Sequence, residues 1–264
     1  MFSEKRRSAL AIVAFAIAFG ATSIPWAAEL TVDRLREMLA RSDRDQPADL
    51  AGKDLSDLDL SNLDFKRANL AGANLFGTRL VSSNLEGVKL AKANLNGAWL
   101  MGANFAGADL SDSSMLSLVI LGGPIKAKPN FSGANLSGVR MIADLAEVDL
   151  RGANLSRARL GVDIRNQGMG QMRTDLSGAN LSSANLRDAD LSRTLLMFAN
   201  LKGADLRGAN LFRAKLAGAD LTAADIAGAD FTEADLEGTV LKDVKGLDAA
   251  KGMDKATNRD RAVY

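Results

Sequence analysis

The sequence contains no cysteine and no histidine among its 264 residues. Their absence excludes disulfide bonds, thiol nucleophiles, imidazole bases and the usual protein ligands of zinc and haem. Aromatic residues make up only 5% of the chain, although apolar residues make up 47%. A core must therefore be built from leucine and alanine rather than from rings. We expect no catalytic residues, no bound metal and no cofactor.

An excess of charge of either sign is also missing, since 33 basic residues stand against 32 acidic residues. Residues 1–28 contain three of the basic and one of the acidic residues, so the remainder has 30 against 31. Domains that bind nucleic acid usually carry a clear basic surface. The balance therefore argues against a nucleic-acid partner.

The first 28 residues have the order of a secretory signal peptide. A basic stretch from Lys5 to Arg7 precedes an apolar run of about 13 residues, Ala9 to Ala21, and small residues follow up to Ala28. Such a run is too short to span a bilayer comfortably. We predict that residues 1–28 are a signal peptide and that the mature protein is periplasmic or secreted. An uncleaved signal that anchors the chain in a membrane is the alternative.

From Leu50 onward the sequence repeats every five residues in the form A-[ND]-L-x-x. About 36 units share the pattern, with Ala two before the centre in 22 units and Asn or Asp one before it in 26. The clearest stretches are Ala68 to Gly77 and Ala179 to Leu191. A period of five scatters the leucines around an α-helix and places them on alternate faces of a flat strand. One-sided burial therefore requires that the chain turn once in every repeat.

This pattern resembles the pentapeptide-repeat family over residues 48–242. The resemblance implies an all-β fold, a right-handed quadrilateral parallel β-helix with the central leucine and the preceding alanine inside and four repeats per coil. About nine coils at the ~4.8 Å spacing of paired strands would make a rod roughly 43 Å long. Lys53, Leu58 and Leu63 stand where alanine is expected. We therefore expect the first coils to be irregular.

Both ends of the repeat carry segments suited to cover an open strand edge. Residues 29–47 are predicted to hold a capping helix over Thr31 to Arg41, with Thr31 as its N-cap. Its apolar face would consist of Val32, Leu35, Met38 and Leu39. Residues 243–264 are predicted to be a cap or tail with one or two short helical turns. Its inward residues would be Leu247, Ala250, Met253 and Ala256. Formation of a homodimer through this tail is an alternative role.

Two segments interrupt the repeat, and we predict loops at 121–130 and 161–174. The first contains two glycines and two prolines, and the second contains Arg165, Met169, Met172 and Arg173. Loops on a rigid scaffold frequently carry its binding residues. Tolerated insertions without a function are the alternative. The step of eleven from Ile120 to Phe131 and the step of four from Met141 to Leu145 cancel, so the original frame returns.

One side of the rod also carries apolar residues at outward positions. Residues twenty apart stack when four repeats make a coil, which brings together Val81, Trp99, Met101, Val119 and Leu121. Exposed apolar patches mark partner surfaces more often than scattered apolar residues do. This patch, with Arg165, Met169, Met172 and Arg173, is the candidate partner-binding site. In the alternative, the loop that starts at Leu121 covers the patch.

The Asn and Asp residues before each centre raise the question of a metal site. Stacking places aspartate over aspartate only rarely, as with Asp205 and Asp225. That arrangement limits contacts between like charges on a solvated face. Calcium-binding repeats need a different spacing of glycine and aspartate. We therefore predict structural ladders rather than metal sites.

These observations predict a non-catalytic, exported interaction scaffold that binds a protein or a cell-envelope partner. An alternative follows from the resemblance, because some pentapeptide-repeat proteins mimic B-form DNA and protect topoisomerases. That role implies a strongly acidic surface and a cytoplasmic location, and this sequence suggests neither. An enzyme that uses surface carboxylates is a third hypothesis, for which the repeat offers no distinct site.

Overall fold

The computed structural model describes residues 30–43, 45–120, 127–162 and 173–264. The predicted signal peptide lies outside these residues, as do the candidate binding residues Leu121, Arg165, Met169 and Met172. No helix among the described residues is long and apolar enough to cross a membrane.

Each five-residue unit forms one side of a square coil in a right-handed parallel β-helix. Where the repeat is continuous, parallel bridges join residues twenty apart, as from Asp49 to Asn69 and from Asn69 to Lys89. The central leucines and the alanines two before them are buried along the whole rod. We number the coils from 1 and name the four faces by their first central residues. Face A begins at Leu50, face B at Leu55, face C at Leu60 and face D at Phe65.

In most units the chain turns at the second residue after the centre, where the backbone φ angle is positive. Many of these corners are glycine, because a residue without Cβ adopts this conformation without strain. The Asn or Asp before the centre supports the turn by accepting a hydrogen bond from the backbone N–H two residues on. Asp49 Oδ1 accepts from Ala51 N at 3.2 Å in this way. The A-[ND]-L-x-x pattern thus encodes both the core and the corner.

The asparagine side chains also connect one coil to the next. Asn74 Nδ2 donates to Asp54 Oδ1 at 2.9 Å, and Asn94 Nδ2 donates to Asn74 Oδ1 at 3.0 Å. An ionised aspartate accepts but cannot donate, so it suits the first position of such a stack. In coil 1 all four faces indeed begin with aspartate, at Asp49, Asp54, Asp59 and Asp64. The structural ladders predicted from the sequence are confirmed.

Two units without the Asn or Asp turn form short strands instead. Strand β1 (Ser114–Leu116) pairs in parallel with strand β2 (Arg140–Ile142). Since Ser114 cannot support the turn alone, Asn96 from the coil below does so. Asn96 Oδ1 accepts hydrogen bonds from Ser114 Oγ and Leu116 N, both at 2.8 Å.

Helix α1 (Val32–Arg41) covers the first coil, as predicted. Thr31 Oγ1 accepts a hydrogen bond from Arg34 N at 3.3 Å and so caps the helix. The predicted apolar face packs on the core through Leu35 and Leu39, which are buried, and through Val32 and Met38, which are half-buried. Lys66 Nζ donates to the Leu39 carbonyl at 3.0 Å and so fastens the end of the helix to coil 1.

The prediction of irregular first coils is wrong. The bridges from Asp54 to Asn74 and from Asp64 to Asn84 keep the regular step of twenty. Leu58 and Leu63 are half-buried and pack against the core. Leu118 holds the same position in coil 4 and is 8% exposed, so a leucine there also fits a coil with neighbours on both sides.

The C-terminal segment continues the solenoid as a further coil with six-residue sides. Bridges join Asp225 to Lys245, Asp230 to Lys251, Asp235 to Thr257 and Val240 to Val263. Two 3₁₀ helices, Leu247–Ala249 and Arg259–Arg261, form the predicted short helical turns. The predicted inward residues pack against the core, with Met253 buried and Leu247, Ala250 and Ala256 half-buried. The rod therefore has ten coils, one more than the pentapeptide units alone supply.

Candidate protein-binding face

All three departures from the five-residue step within the pentapeptide repeat border face C. The four-residue step joins face B to face C in coil 5, and the longer insertion joins the same two faces in coil 6. The other insertion joins face C to face D in coil 4. The four-residue step runs from Met141 to Leu145, and the longer insertion lies between Leu160 and Leu176. The other insertion lies between Ile120 and Phe131. Face C is thus the side on which the regular rod is interrupted.

The described ends of the insertions show where the chain rejoins the coil. Gly102 N donates to the Ala127 carbonyl at 2.7 Å, and Asn130 bridges Asn104. The loop predicted over 121–130 therefore ends earlier, because residues 127–130 already belong to coil 4. At the second insertion, Arg173 is exposed beside the buried Thr174, where face C resumes.

The predicted apolar patch is not an exposed surface. Val81 is only 5% exposed and Met101 only 4%. Trp99 and Val119 are half-buried. Ala127 takes the position that stacks on Met101. The prediction of a contiguous exposed patch at these residues is therefore wrong.

Close stacking of side chains explains this burial. Ser82 N donates to the Met101 carbonyl at 2.8 Å, which fixes Val81 and Met101 as neighbours in successive coils. Strands about 4.8 Å apart bring such side chains into contact, so each covers the other. Trp99 lies on the same stack of coils, where the Arg79 guanidinium is 4.6 Å from the centre of its ring. We call Val81, Trp99 and Met101 the Trp99 cluster.

A different apolar group on face C is exposed. Phe198 is 74% exposed, the largest value among the exposed large apolar residues of the described chain. Leu195 and Met197 precede it on the same side of coil 7 and are half-buried. We call Leu195, Met197 and Phe198 the Phe198 cluster. Its stacking neighbours include Ala217 and Gly218, whose small size leaves the larger side chains uncovered.

Phe198 occupies a corner that suits a different kind of residue. Its φ angle is +58°, in the left-handed region that bulky side chains rarely adopt. A residue held there costs about 1–3 kcal/mol. The ring lies over Gly218, where an added Cβ would meet Phe198 Cδ1 at 2.6 Å. The corner rule was available in the sequence, since a phenylalanine stands out at a position held by glycine and by small, polar or charged residues. Our sequence interpretation followed other outward positions and missed it.

Acidic and basic side chains on neighbouring coils are paired around this region. Lys215 Nζ lies 3.3 Å from Asp235 Oδ2, directly above the Phe198 cluster on face C. Arg207 contacts both Asp205 and Asp225, which relieves the one stack of aspartates noted in the sequence. The hydrogen bond that Arg207 donates to Asp205 is the largest of the causes that lower the pKa of Asp205. Among the described residues, no group of acidic side chains could hold a metal ion.

Comparison with known families finds a model described as pentapeptide repeats. It matches eight copies, over residues 48–80, 78–115, 143–161, 174–211 and 206–243. These ranges cover more than half of the chain and omit both insertions. The matched ranges and the repeat geometry therefore agree.

Solved structures of similar fold include other pentapeptide repeat proteins. HetL, involved in heterocyst differentiation regulation in the cyanobacterium Nostoc sp. strain PCC 7120, is 29% identical over 89% of this chain and 99% of its own, with a TM-score of 0.41. Rfr23 from the cyanobacterium Cyanothece 51142 is 25% identical over 70% of this chain and 90% of its own, with a TM-score of 0.25. QnrB1, a plasmid-mediated fluoroquinolone resistance protein, is 20% identical over 77% of this chain and 91% of its own, with a TM-score of 0.35. No curated protein matches this chain.

Proposed function

Because this chain belongs to the pentapeptide-repeat family, we propose that it is an exported, non-catalytic scaffold that binds a protein partner through face C. The matched family is one of repeats, and no catalytic family is indicated. A regular backbone above and below face C would hold its binding residues in fixed positions, which favours recognition. Export rests on the basic and apolar order of residues 1–28.

Phe198 carries the proposal for face C. Its backbone conformation is strained and its ring is exposed, so the folded chain gains little from having phenylalanine at this corner. Burial of an aromatic ring against a partner stabilises a complex strongly, and such residues are frequent hot spots of interfaces. A partner that encloses Phe198 would therefore offset the strain. Met197 and Leu195 beside it would extend the apolar contact.

The alternative role, mimicry of DNA, needs a continuous acidic surface. Several acidic side chains of this rod are instead paired with basic ones on neighbouring coils. Arg213 lies 2.7 Å from Glu233, Lys202 lies 3.1 Å from Asp220, and Arg261 lies 2.7 Å from Glu237. This pairing, with the balanced charge of the whole chain, favours the scaffold.

Face C is tested by capturing proteins from an extract of the cell envelope with the chain from residue 29 onward. We expect at least one protein that binds the wild type and is lost with Phe198→Ser. Phe76→Ser is the matched control, because Phe76 is an exposed phenylalanine on face B, at 51%. Binding that survives Phe198→Ser for every captured protein would contradict the role of face C.

Export is tested separately by fractionating cells and determining the N-terminal residue of the protein. We expect the chain outside the cytoplasm, with a new N-terminus between Ala21 and Ala28. A cytoplasmic chain that retains residues 1–28 would contradict export and would leave the result on Phe198 unaffected.

A further inference from the structure

The two ends of the rod differ in how they are covered. Helix α1 lies over coil 1 and buries Leu35 and Leu39 against its core. Coil 10 ends the chain, and no α-helix of the described residues lies over it. An uncovered end of a stacked β-structure offers unpaired backbone groups to another chain, which is why solenoids usually cap both ends.

The rims of coil 1 and coil 10 carry matching backbone groups. Between coils 9 and 10, Lys251 N donates to the Ala229 carbonyl at 2.8 Å. The carbonyl that would continue this pattern beyond coil 10 belongs to Ala250, and the N–H that would begin it below coil 1 belongs to Asp54. Neither group has a hydrogen-bond partner among the described residues, and the corresponding groups on the other three faces have none either. Coil 1 of a second copy therefore has the donors that coil 10 lacks.

The side chains on the two rims are complementary in charge. At the position one before the centre, coil 10 carries Lys245 on face A and Lys251 on face B. Coil 1 carries Asp49 and Asp54 at the same position of the same faces. All four side chains are exposed. Stacking coil 1 of a second copy on coil 10 would bring each lysine opposite an aspartate, and opposite charges on neighbouring strands stabilise their pairing.

The rod itself contains both features of such a junction. Lys215 in coil 8 and Asp235 in coil 9 stack in this order, and Lys215 Nζ lies 3.3 Å from Asp235 Oδ2. Coil 9 has five-residue sides and pairs on all four faces with coil 10, whose sides have six. One like-charge approach opposes the contact, because Asp57 at a corner of coil 1 would lie near Asp254, but Lys255 follows directly. Neither the order of charges nor the length of the sides prevents the contact.

We propose that coil 10 binds coil 1 of a second copy of this chain, head to tail, and that helix α1 blocks this contact while it covers coil 1. Each copy uses one end and leaves the other free, so the contact does not close and yields an open rod of many copies. Cover at one end is sufficient to keep such a chain monomeric. The contact lies at the ends of the rod and leaves face C free, so it does not depend on the proposed function.

The cap is tested with the double variant Leu35→Gln, Leu39→Gln, which we call the uncapped variant. Glutamine keeps the helix propensity but removes the apolar contact with coil 1. Sedimentation velocity at rising protein concentration measures the mass, and circular dichroism establishes that the β-helix is folded. We expect a monomeric wild type and an uncapped variant whose mass rises beyond that of a dimer, with rods visible by electron microscopy. A folded variant that remains monomeric, one that stops at the dimer, or a wild type that assembles equally would overturn the proposal.

A second variant decides the matter if the uncapped variant does not fold. Lys66 Nζ donates to the carbonyls of Leu39 at 3.0 Å and Ser42 at 3.2 Å, so it fastens the end of helix α1. Lys66→Met removes both hydrogen bonds and leaves the apolar contact in place. We expect it to assemble more than the wild type and less than the uncapped variant. A folded Lys66→Met that remains monomeric beside an unfolded uncapped variant would refute the proposal.

Charge reversal distinguishes the proposed contact from unspecific aggregation. In the uncapped variant, Lys245→Glu together with Lys251→Glu should abolish assembly, because glutamate would then stack on aspartate. Lys92→Glu together with Lys242→Glu is the matched control, since these exposed lysines lie in coils 3 and 9 and make the same change in charge. We expect the control to assemble as the uncapped variant does. Equal assembly of the two charge variants would mean aggregation through the exposed core and would refute the contact.

Exchange of the charges gives the sharpest result. Asp49→Lys together with Asp54→Lys, added to the uncapped variant that carries Lys245→Glu and Lys251→Glu, should restore assembly because opposite charges face each other again. Failure of this exchange to restore assembly, with the protein folded by circular dichroism, would show that coil 10 does not meet coil 1.

Discussion

The Trp99 cluster and the Phe198 cluster lie on the same face of one rod, and both place apolar side chains at outward positions. Met101 is 4% exposed, whereas Phe198 is 74% exposed. The difference arises from the neighbours in the adjacent coils. Val81 and Ala127 flank Met101, while the small residues Ala217 and Gly218 lie beside Met197 and Phe198. Outward direction alone therefore does not make a residue available to a partner.

The two clusters also differ in what they contribute to the fold. Val81 and Met101 remove apolar surface from water when the coils stack, so they stabilise the rod. Phe198 is exposed and holds a strained backbone angle, so it weakens the rod. A residue that weakens the fold and remains exposed is the better candidate for binding.

The largest expected effect concerns the core that the two clusters share. Leu100→Ala beneath the Trp99 cluster and Leu196→Ala beneath the Phe198 cluster should each lower the free energy of unfolding by about 2–5 kcal/mol. Both leucines are fully buried, so the losses should be similar. Urea unfolding followed by circular dichroism measures them. A loss confined to one variant would mean that the two regions differ in their core and not only at their surface.

A smaller effect on the free energy of unfolding is expected when the outward side chains of the two clusters are replaced. Met101→Ser should lower the free energy of unfolding by about 2 kcal/mol or more, because a buried side chain leaves a cavity. Met197→Ser removes a half-buried side chain and should lower it by less than half as much. The same urea experiment measures both variants. Equal losses would contradict the difference in burial that distinguishes the clusters.

The repeat made the fold predictable, because only a chain that turns every five residues buries all central leucines on one side. The capping helix was also predictable, since Thr31 and the spacing of Leu35 and Leu39 give its start and its buried face. For the last coil, the sequence predicted only short helical turns. Its six-residue sides repeat Gly246-Leu247-Asp248 as Gly252-Met253-Asp254, a signal that a search for a period of six would detect.

The candidate site was predicted less well than the fold. The exposure of Val81 and Met101 depends on side chains one coil away and on where the chain returns after an insertion. No central residue marks that return within residues 121–130, so the sequence could not place Ala127 over Met101. Phe198 was detectable in principle, because the corner requires a positive φ angle.

Removal of the strain at Phe198 should stabilise the protein. Phe198→Gly relieves a left-handed conformation, although glycine also increases the entropy of the unfolded chain. We expect a net gain of about 0.5–1 kcal/mol in the free energy of unfolding. Ser183→Gly is a control at another corner, with φ +56°, where no aromatic ring is involved. A loss of stability in Phe198→Gly would contradict the view that this residue weakens the fold.

Gly218 offers a second measurement of the same contact. Gly218→Ala should destabilise the wild type, because its Cβ would meet the Phe198 ring and because its own φ angle is +68°. In the Phe198→Gly background only the backbone strain remains, so the loss should be smaller. Equal losses in both backgrounds would show that the ring does not lie on Gly218 in solution.

The smallest expected effect comes from the charges that surround the clusters. Coils 2 to 4 are connected near the Trp99 cluster by amides such as Asn74 and Asn94, which do not titrate. Coils 8 and 9 carry Asp205, whose pKa the hydrogen bond from Arg207 lowers below the ordinary value of 3.8. A group with a lower pKa in the folded state stabilises it above the unfolded pKa, and this contribution is lost as the pH falls.

Acidification from pH 6 to pH 3 should therefore weaken coils 8 and 9 more than coils 2 to 4. The effect should be modest, because the paired side chains are partly exposed to solvent. Hydrogen exchange of backbone amides, corrected for intrinsic rates, measures it coil by coil. Arg207→Gln should reduce the difference, since Asp205 then loses the partner that lowers its pKa. An equal loss of protection in both regions would mean that the amide ladders and the paired charges contribute alike, and that the clusters differ only in burial.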